Sequence, residues 1–273
     1  MNRRTFLGGV ALASAALALP FASGRSLGLT RRRHTLWGDA GPPLRLAHLS
    51  DLHSSSAISL DHIGRAIDLA LDEQPDMICL TGDFVTDRAP DPDGLAAVLR
   101  RLPESAPTFA CLGNHDGGRW SARRGRDATP DAVLEILRDA GIQTLRDETI
   151  LLPIGGRELL LTGVEDLWSF PIDPVRAGFS TDRRKRLVLA HNPDTKDALA
   201  REAWDLMLCG HTHGGQIRLP FWGGRLTAPV RDDRYIEGLL PWGDRWLHIS
   251  RGVGCLHGIR INCPPEVTLL ELV

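Results

Sequence analysis

Arg45-Leu46-Ala47-His48-Leu49-Ser50-Asp51-Leu52-His53 is the stretch from which the fold is read. Residues 45–50 make a short apolar run with the length of a buried strand, and it leads into two polar groups, Asp51 and His53. Downstream, Leu60 to Asp72 places Ile63, Ala66, Ile67, Ala70 and Leu71 at the i, i+3, i+4 spacing of a helix. Asp76 to Thr81 is a second strand-like run. The alternation continues with a helix over Asp93 to Leu102, a strand over Pro107 to Leu112 and a helix over Pro130 to Ala140. Thr129 is the expected N-cap of that last helix, with Pro130 at its first position. Leu187 to Ala190 and Leu206 to Cys209 read as strands around a helix near Thr195 to Ala203. Glu158 to Val164, Trp246 to Ser250 and Val267 to Leu272 also look extended. The pattern predicts one α/β domain with a mixed β core.

The composition agrees. Of 273 residues, 42% are hydrophobic and 24% charged, which excludes a disordered, collagen-like or disulfide-stapled chain. The formal net charge of −2 hides an asymmetry: six of the 32 basic residues lie in positions 1–33, which hold no acid. The rest of the chain carries 26 basic against 34 acidic residues. So acidic a body is not expected to bind nucleic acid, because such binding rests on neutralising phosphates.

Asn2-Arg3-Arg4-Thr5-Phe6-Leu7 begins an uncharged run from Thr5 to Gly24, with small residues at Ala22-Ser23-Gly24. This order of basic, apolar and small residues is that of an export signal, and the arginine pair resembles a twin-arginine signal read by the export machinery. Two readings stay open, a cleaved signal and an uncleaved membrane anchor. Either places the body outside the cytoplasm, in the periplasm or cell envelope, the second with association at a membrane surface. Residues 1–24 are expected to be this signal, 25–43 a linker and 44–273 the folded domain. Cys79, Cys111 and Cys209 sit in apolar runs and are expected in the core, whereas Cys255 and Cys263 could form a disulfide or remain thiols.

Five polar clusters each follow a strand-like run: Asp51-Leu52-His53, Gly82-Asp83, Gly113-Asn114-His115-Asp116, His191-Asn192 and Gly210-His211-Thr212-His213-Gly214. In α/β sheets, ligand sites gather beyond the carboxyl ends of strands. Each cluster alone is weak. A lone His191 is more often a core residue than a ligand, while His211 and His213, two apart on a strand, would share a face.

In this order and context the clusters resemble the signature of the calcineurin-like metallophosphoesterase superfamily. Further similarity points to small bacterial exported phosphoesterases. It lies in Ser50-Asp51-Leu52-His53, in Gly210-His211-Thr212-His213-Gly214-Gly215-Gln216-Ile217-Arg218-Leu219-Pro220, in Ser250-Arg251-Gly252-Val253-Gly254 and in Cys263-Pro264-Pro265-Glu266. The resemblance covers residues 44–273 and implies a four-layer α/β/β/α sandwich with a two-metal site. Asp51, His53, Asp83 and His213 would hold one divalent ion. Asp83, Asn114, His191 and His211 would hold the other, with Asp83 shared between them. A shared carboxylate offsets the repulsion of two cations, and the donor set suits Mn, Fe or Zn.

The implied reaction is hydrolysis of a phosphodiester or pyrophosphate by a metal-bridging hydroxide. Because some similar proteins act on lipid-linked sugar nucleotides, a small-molecule or envelope-lipid phosphate is the expected substrate. Phosphomonoester hydrolysis is the alternative, and a non-catalytic scaffold a third reading that the complete ligand set disfavours. Asn114 would stabilise charge on the phosphoryl oxygens, and His115 would protonate the leaving oxygen or stabilise the transition state as imidazolium, its ring oriented and its pKa raised by Asp116. Arg119, Arg123 and Arg124, in the Arg-rich segment Gly117 to Asp127, are candidates for substrate contact, as are Arg218 and Arg251; surface ion pairs are the competing reading. Trp168, Phe170, Phe221 and Trp222 form either an apolar rim or core.

Overall fold

The computed structural model describes residues 27–38, 41–180, 182–218, 225–226 and 230–273. The first half of the chain runs β1 (Gly28–His34), β2 (Leu44–Leu49), α1 (Leu60–Leu71), β3 (Met77–Thr81), α2 (Pro92–Arg100), β4 (Thr108–Cys111), α3 (Gly118–Ala122), α4 (Asp131–Asp139) and β5 (Gln143–Thr144). The second runs β6 (Glu148–Ile154), β7 (Arg157–Gly163), β8 (Lys185–Leu189), α5 (Thr195–Ala198), β9 (Leu206–Cys209), β10 (Ile217–Arg218), β11 (Arg225–Leu226), β12 (Gly238–Trp242), β13 (Arg245–Ile249) and β14 (Glu266–Leu272).

Two six-stranded sheets result, ordered β1-β14-β2-β3-β4-β5 and β12-β13-β9-β8-β7-β6. Strands β2 to β5 are mutually parallel, as are β7, β8, β9 and β13. Side-chain alternation assigns the layers. On β2, Leu44 and Leu46 join Met77, Phe109, Leu187, Leu206 and Leu270 between the sheets, while Ala47 and Leu49 face the helices. The apolar stripe of α1, Ile63, Ala66, Ile67 and Ala70, is buried against that outer face. Beyond the second sheet, Val188, Met207, Leu247 and Ile249 pack with Leu199, Trp204 and Tyr235. The sandwich expected from the sequence is present, with a thin fourth layer in which α5 is only four residues long.

Three local expectations are corrected, and one pair of open alternatives is decided. Residues 28–34, expected within a linker, form β1 and pair in parallel with β14 from Gly28↔Glu266 to His34↔Leu272. Thr129 does not cap α4: its hydroxyl donates to Asp131 Oδ2 at 2.8 Å, and Pro130 takes the cap position. The helix expected to reach Ala203 ends at Ala198, and the Leu199 carbonyl accepts the indole N–H of Trp204 at 3.0 Å instead. Cys263 is a thiol, not half of a disulfide, and its Sγ donates to the His213 carbonyl at 3.2 Å. The 1–24 signal, Phe221 and Trp222 lie outside the described residues.

Candidate metal centre

The loops that follow β2, β3, β4, β8 and β9 meet at one edge of the sandwich. They bring Asp51, His53, Asp83, Asn114, His115, Asp116, His191, His211 and His213 together, all buried. Asp51, His53, Asp83, His211 and His213 have φ of 52°, 49°, 57°, 69° and 51°. This left-handed conformation costs a residue with a Cβ about 1–2 kcal/mol, so the surrounding loops must enforce it. Asp51 and His53 are held by backbone N–H bonds to the carbonyls of Gly82 and Asp83, both 2.9 Å. The Asp83 turn in turn leans on Gly82 and Gly113, where a Cβ on Gly82 would lie 2.5 Å from the Gly113 nitrogen.

The donor atoms of Asp51, His53, Asp83 and His213 lie within 4.8 Å of one another. Asp83 Oδ2 is 3.5 Å from His53 Nε2 and 3.2 Å from His191 Nε2, so one carboxylate oxygen stands between two groups of ligands. On the far side, His211 Nδ1 is 3.2 Å from His191 Nε2. The other oxygen, Asp83 Oδ1, accepts the backbone N–H of His115 at 2.9 Å. His191 Nδ1 donates to the Thr81 carbonyl at 2.7 Å, which leaves Nε2 free to coordinate.

Burial pushes His53 down to about 3 and holds His211 and His213 well below the ordinary imidazole value, so these rings are neutral and each can offer a lone pair. Burial also acts on His191, but the Asp83 carboxylate outweighs it and raises that pKa. Asp83 is itself held low, because the charges of His191 and His115 overcome the penalty of burial. Among the described residues, Asn114 Oδ1 and His211 Nε2 are buried with no hydrogen-bond partner. A buried polar atom left so costs about 1–3 kcal/mol, and a cation beside Asn114 Oδ1 would remove its share. The donor set and this orphaned oxygen fit divalent metal.

Residues 44–215 match the model of the calcineurin-like phosphoesterase family, well over half of the chain. The chain belongs to that family. It is a metal-dependent phosphohydrolase. A curated relative, phosphodiesterase YaeI of Escherichia coli, is 43% identical over 90% of this chain and 88% of its own length. The metallophosphoesterase YkuE of Bacillus subtilis is 28% identical over all of this chain and 98% of its own. UDP-2,3-diacylglucosamine pyrophosphatase LpxG of Chlamydia trachomatis is 28% identical over 84% and 83%.

Around the metal cluster of this phosphoesterase the structure departs from one expected role. Asp116 does not touch the His115 ring. Its carboxylate accepts the backbone N–H groups of Gly113 at 2.7 Å and of Asp83 and Phe84 at 2.8 Å. His115 Nδ1 instead meets the Thr86 carbonyl at 2.6 Å, and Arg126 Nη1 lies 2.9 Å from the same nitrogen. The pKa of His115 is therefore lowered rather than raised: burial dominates, and Arg126 adds to it against the pull of Asp83. Arg126 is fixed by an ion pair with Asp87 and a bond to the Thr86 carbonyl at 3.1 Å.

Trp120 packs on His115 and Trp168 on His211, each with ring centroids 4.4 Å apart, so Trp168 does border the site. The Phe170 ring lies under Arg146 and against Gly118. Arg119, Arg123 and Arg124 are exposed, and Arg124 lies over the Trp120 ring at 3.8 Å. Arg218 and Arg251 are taken up by carboxylates: Arg218 by Glu237 at 2.6 Å and Arg251 by Glu266 at 2.7 Å. A cleft of about 540 Å³ between α2 and α4 reaches His115 and Asp116.

Sequence reading missed Arg126 as distinct from its neighbours, and missed Asp166. The latter is buried beyond β7, holds the N–H groups of Trp168 and Ser169 on Oδ2, and has no partner on Oδ1. It follows a strand-like run, as the other clusters do, but no histidine accompanies it to mark it.

Proposed function

We propose that this chain hydrolyses a phosphodiester or pyrophosphate bond of an envelope lipid or lipid-linked nucleotide, using two divalent ions drawn from Mn, Fe and Zn. The observation that carries the two-ion reading is Asp83 Oδ2, 3.5 Å from His53 and 3.2 Å from His191. Asp51, His53, Asp83 and His213 would hold one ion; Asp83, Asn114, His191 and His211 the other. Such ions, when bound, activate water and polarise a phosphoryl oxygen.

The side chains supply the rest. With Nδ1–H donated to Thr86, His115 can hand a proton to the leaving oxygen only from Nε2 of the imidazolium, a form that the nearby Asp83 carboxylate favours against burial and Arg126. Asp116 holds the loops of Asp83 and Gly113, so it positions the site and does not orient His115. Trp120 and Trp168 wall the two histidines off from water. Phosphodiester or pyrophosphate is favoured over monoester by the relatives named phosphodiesterase and UDP-2,3-diacylglucosamine pyrophosphatase. Residues 1–24 would direct the chain through the twin-arginine machinery to the periplasm or envelope.

Metal analysis of protein from its native compartment tests the first part. About two ions per chain are expected, with both lost in Asp83→Ala; one ion that survives Asp83→Ala would overturn the shared-ligand reading. A panel of monoesters, diesters and pyrophosphates tests the second, and a preference for monoesters would reverse it. Arg3→Lys with Arg4→Lys should leave active protein in the cytoplasm, and normal export of that variant would overturn the twin-arginine route.

A further inference from the structure

His48 and His248 are fully buried between the sheets, one on β2 and the other on β13, and neither belongs to the metal cluster. The surrounding layer is Leu46, Met77, Leu208 and Leu270. A leucine would fill either position without the desolvation that a ring nitrogen suffers. The two Nδ1 atoms are 2.9 Å apart, which requires one ring to donate and the other to accept.

From His48 the contacts continue without a break. Nε2 is 2.8 Å from Thr81 Oγ1, Thr81 Oγ1 is 2.9 Å from Ser50 Oγ, and Ser50 Oγ is 2.6 Å from Asp51 Oδ2. The Thr81 carbonyl also receives His191 Nδ1. Thr81 therefore touches both halves of the site, Asp51 through Ser50 and His191 directly.

The direction of the chain follows from counting hydrogens. An ionised carboxylate only accepts, and 2.6 Å is the length of a hydroxyl bond to one, so Ser50 donates to Asp51. Ser50 Oγ also lies 2.9 Å from the Thr81 carbonyl, a second acceptor, so its one hydrogen is spent on acceptors either way and it accepts from Thr81 Oγ1. Thr81 has spent its own and accepts from His48 Nε2–H. A neutral His48 with its proton on Nε2 can only accept at Nδ1, so His248 donates from Nδ1. Reversing the chain would turn the Ser50 hydrogen toward Thr81 and take the short donor away from Asp51 Oδ2.

We propose that His248, His48, Thr81 and Ser50 form a directed hydrogen-bond chain that positions Asp51 for metal: Ser50 pins Oδ2, the His211 N–H is shared by both oxygens at 3.1 Å, and Oδ1, 3.4 Å from His213 Nε2, keeps its remaining lone pair for the cation. Its two histidines are positioning residues that act from the middle of the sandwich. The inference rests on the two-ion reading above.

Nitrogen NMR of the full chain, metal-free and zinc-loaded, reads the tautomers. His48 protonated on Nε2 and His248 on Nδ1 are expected; His48 protonated on Nδ1 overturns the proposal. Zinc affinity by chelator competition, with the thermal midpoint of the metal-free protein measured separately, reads the consequence. His48→Leu should weaken zinc about 10-fold or more, the lower end of the roughly 10–100-fold loss for groups behind a ligand. His48→Gln, which keeps an N–H donor toward Thr81, should recover most of it. Wild-type affinity in a folded His48→Leu protein overturns the chain. If that variant does not fold, Ser50→Ala is judged by the same criterion. Wild-type protein that takes up no zinc would overturn the metal reading and this one with it, whereas normal uptake with unchanged affinity in the variants overturns the chain alone.

Discussion

Replacing Asp116 by alanine removes the acceptor of three buried backbone N–H groups, those of Gly113, Asp83 and Phe84 at 2.7, 2.8 and 2.8 Å. Each buried donor left without an acceptor costs about 1–3 kcal/mol. Three such losses sum to about 3–9 kcal/mol, and water entering the gap brings the expected value to about 3–5 kcal/mol. That is a large part of the roughly 5–15 kcal/mol that holds a domain together. Asp116→Asn keeps one carbonyl oxygen for two of the donors but turns an NH₂ group toward the third, and should cost about 1–3 kcal/mol. The assay is urea unfolding of metal-free protein, with metal retention measured in parallel because the Asp83 turn loosens too. An unchanged urea midpoint in Asp116→Ala, with a rate loss that depends on leaving-group pKa, would refute the structural role and return Asp116 to acting on His115.

Other outcomes are equally specific. His115→Ala should keep its metal and lose about 10²–10⁴ in rate. A leaving group of low pKa should partly restore that rate, and loss of metal would contradict the assignment. Changing Arg119, Arg123 and Arg124 to Ala should raise KM for an anionic substrate several-fold at low salt with kcat little changed, since the three are exposed charges; an unchanged KM at low salt would leave them as solvated surface charges. His248 is pushed by burial to about 3 in the fold, whereas the unfolded chain protonates near the ordinary value of about 6.5. The native state thus binds fewer protons between those values, and its stability falls as pH drops below about 6.5, by at most about 1.4 kcal/mol per pH unit. Urea midpoints at pH 7 and pH 5 should therefore differ less in metal-free His248→Gln than in wild type, and an equal difference would count against a neutral buried His248.

All eight runs read as strands are interior strands of the two six-stranded sheets, and the four strands of those sheets that went unread, β1, β5, β6 and β12, are their four edges; the short pair β10 and β11 went unread as well. The physical reason is burial. β3 is buried at every position, whereas β6 alternates between exposed and half-buried and β12 is mostly half-buried and contains Pro241. Edge strands are also where charge is tolerated, and Arg31-Arg32-Arg33 in β1 reads as linker for that reason. In the site, the residues that the structure brings together were legible because each cluster follows an apolar run. The left-handed backbone at five of them was not, since neither Asp nor His announces it as glycine would. Nor could the chain show that Asp116 faces backbone and Arg126 faces His115: both depend on the return of the loop that carries Thr86.

The pairing of β1 with β14 imposes an order on biosynthesis. Thr30 donates its hydroxyl to Glu266, 236 positions further along the chain. A ribosome has to deliver residues 266–272 before residues 28–34 have a neighbour, and β2 also waits for β14 on its outer side. A nascent chain halted short of Glu266 therefore carries two unsatisfied strand edges for proteases and chaperones to recognise. Closure of the first sheet is in this way a test that synthesis has reached β14, passed only by a polypeptide that has run through both halves of the site.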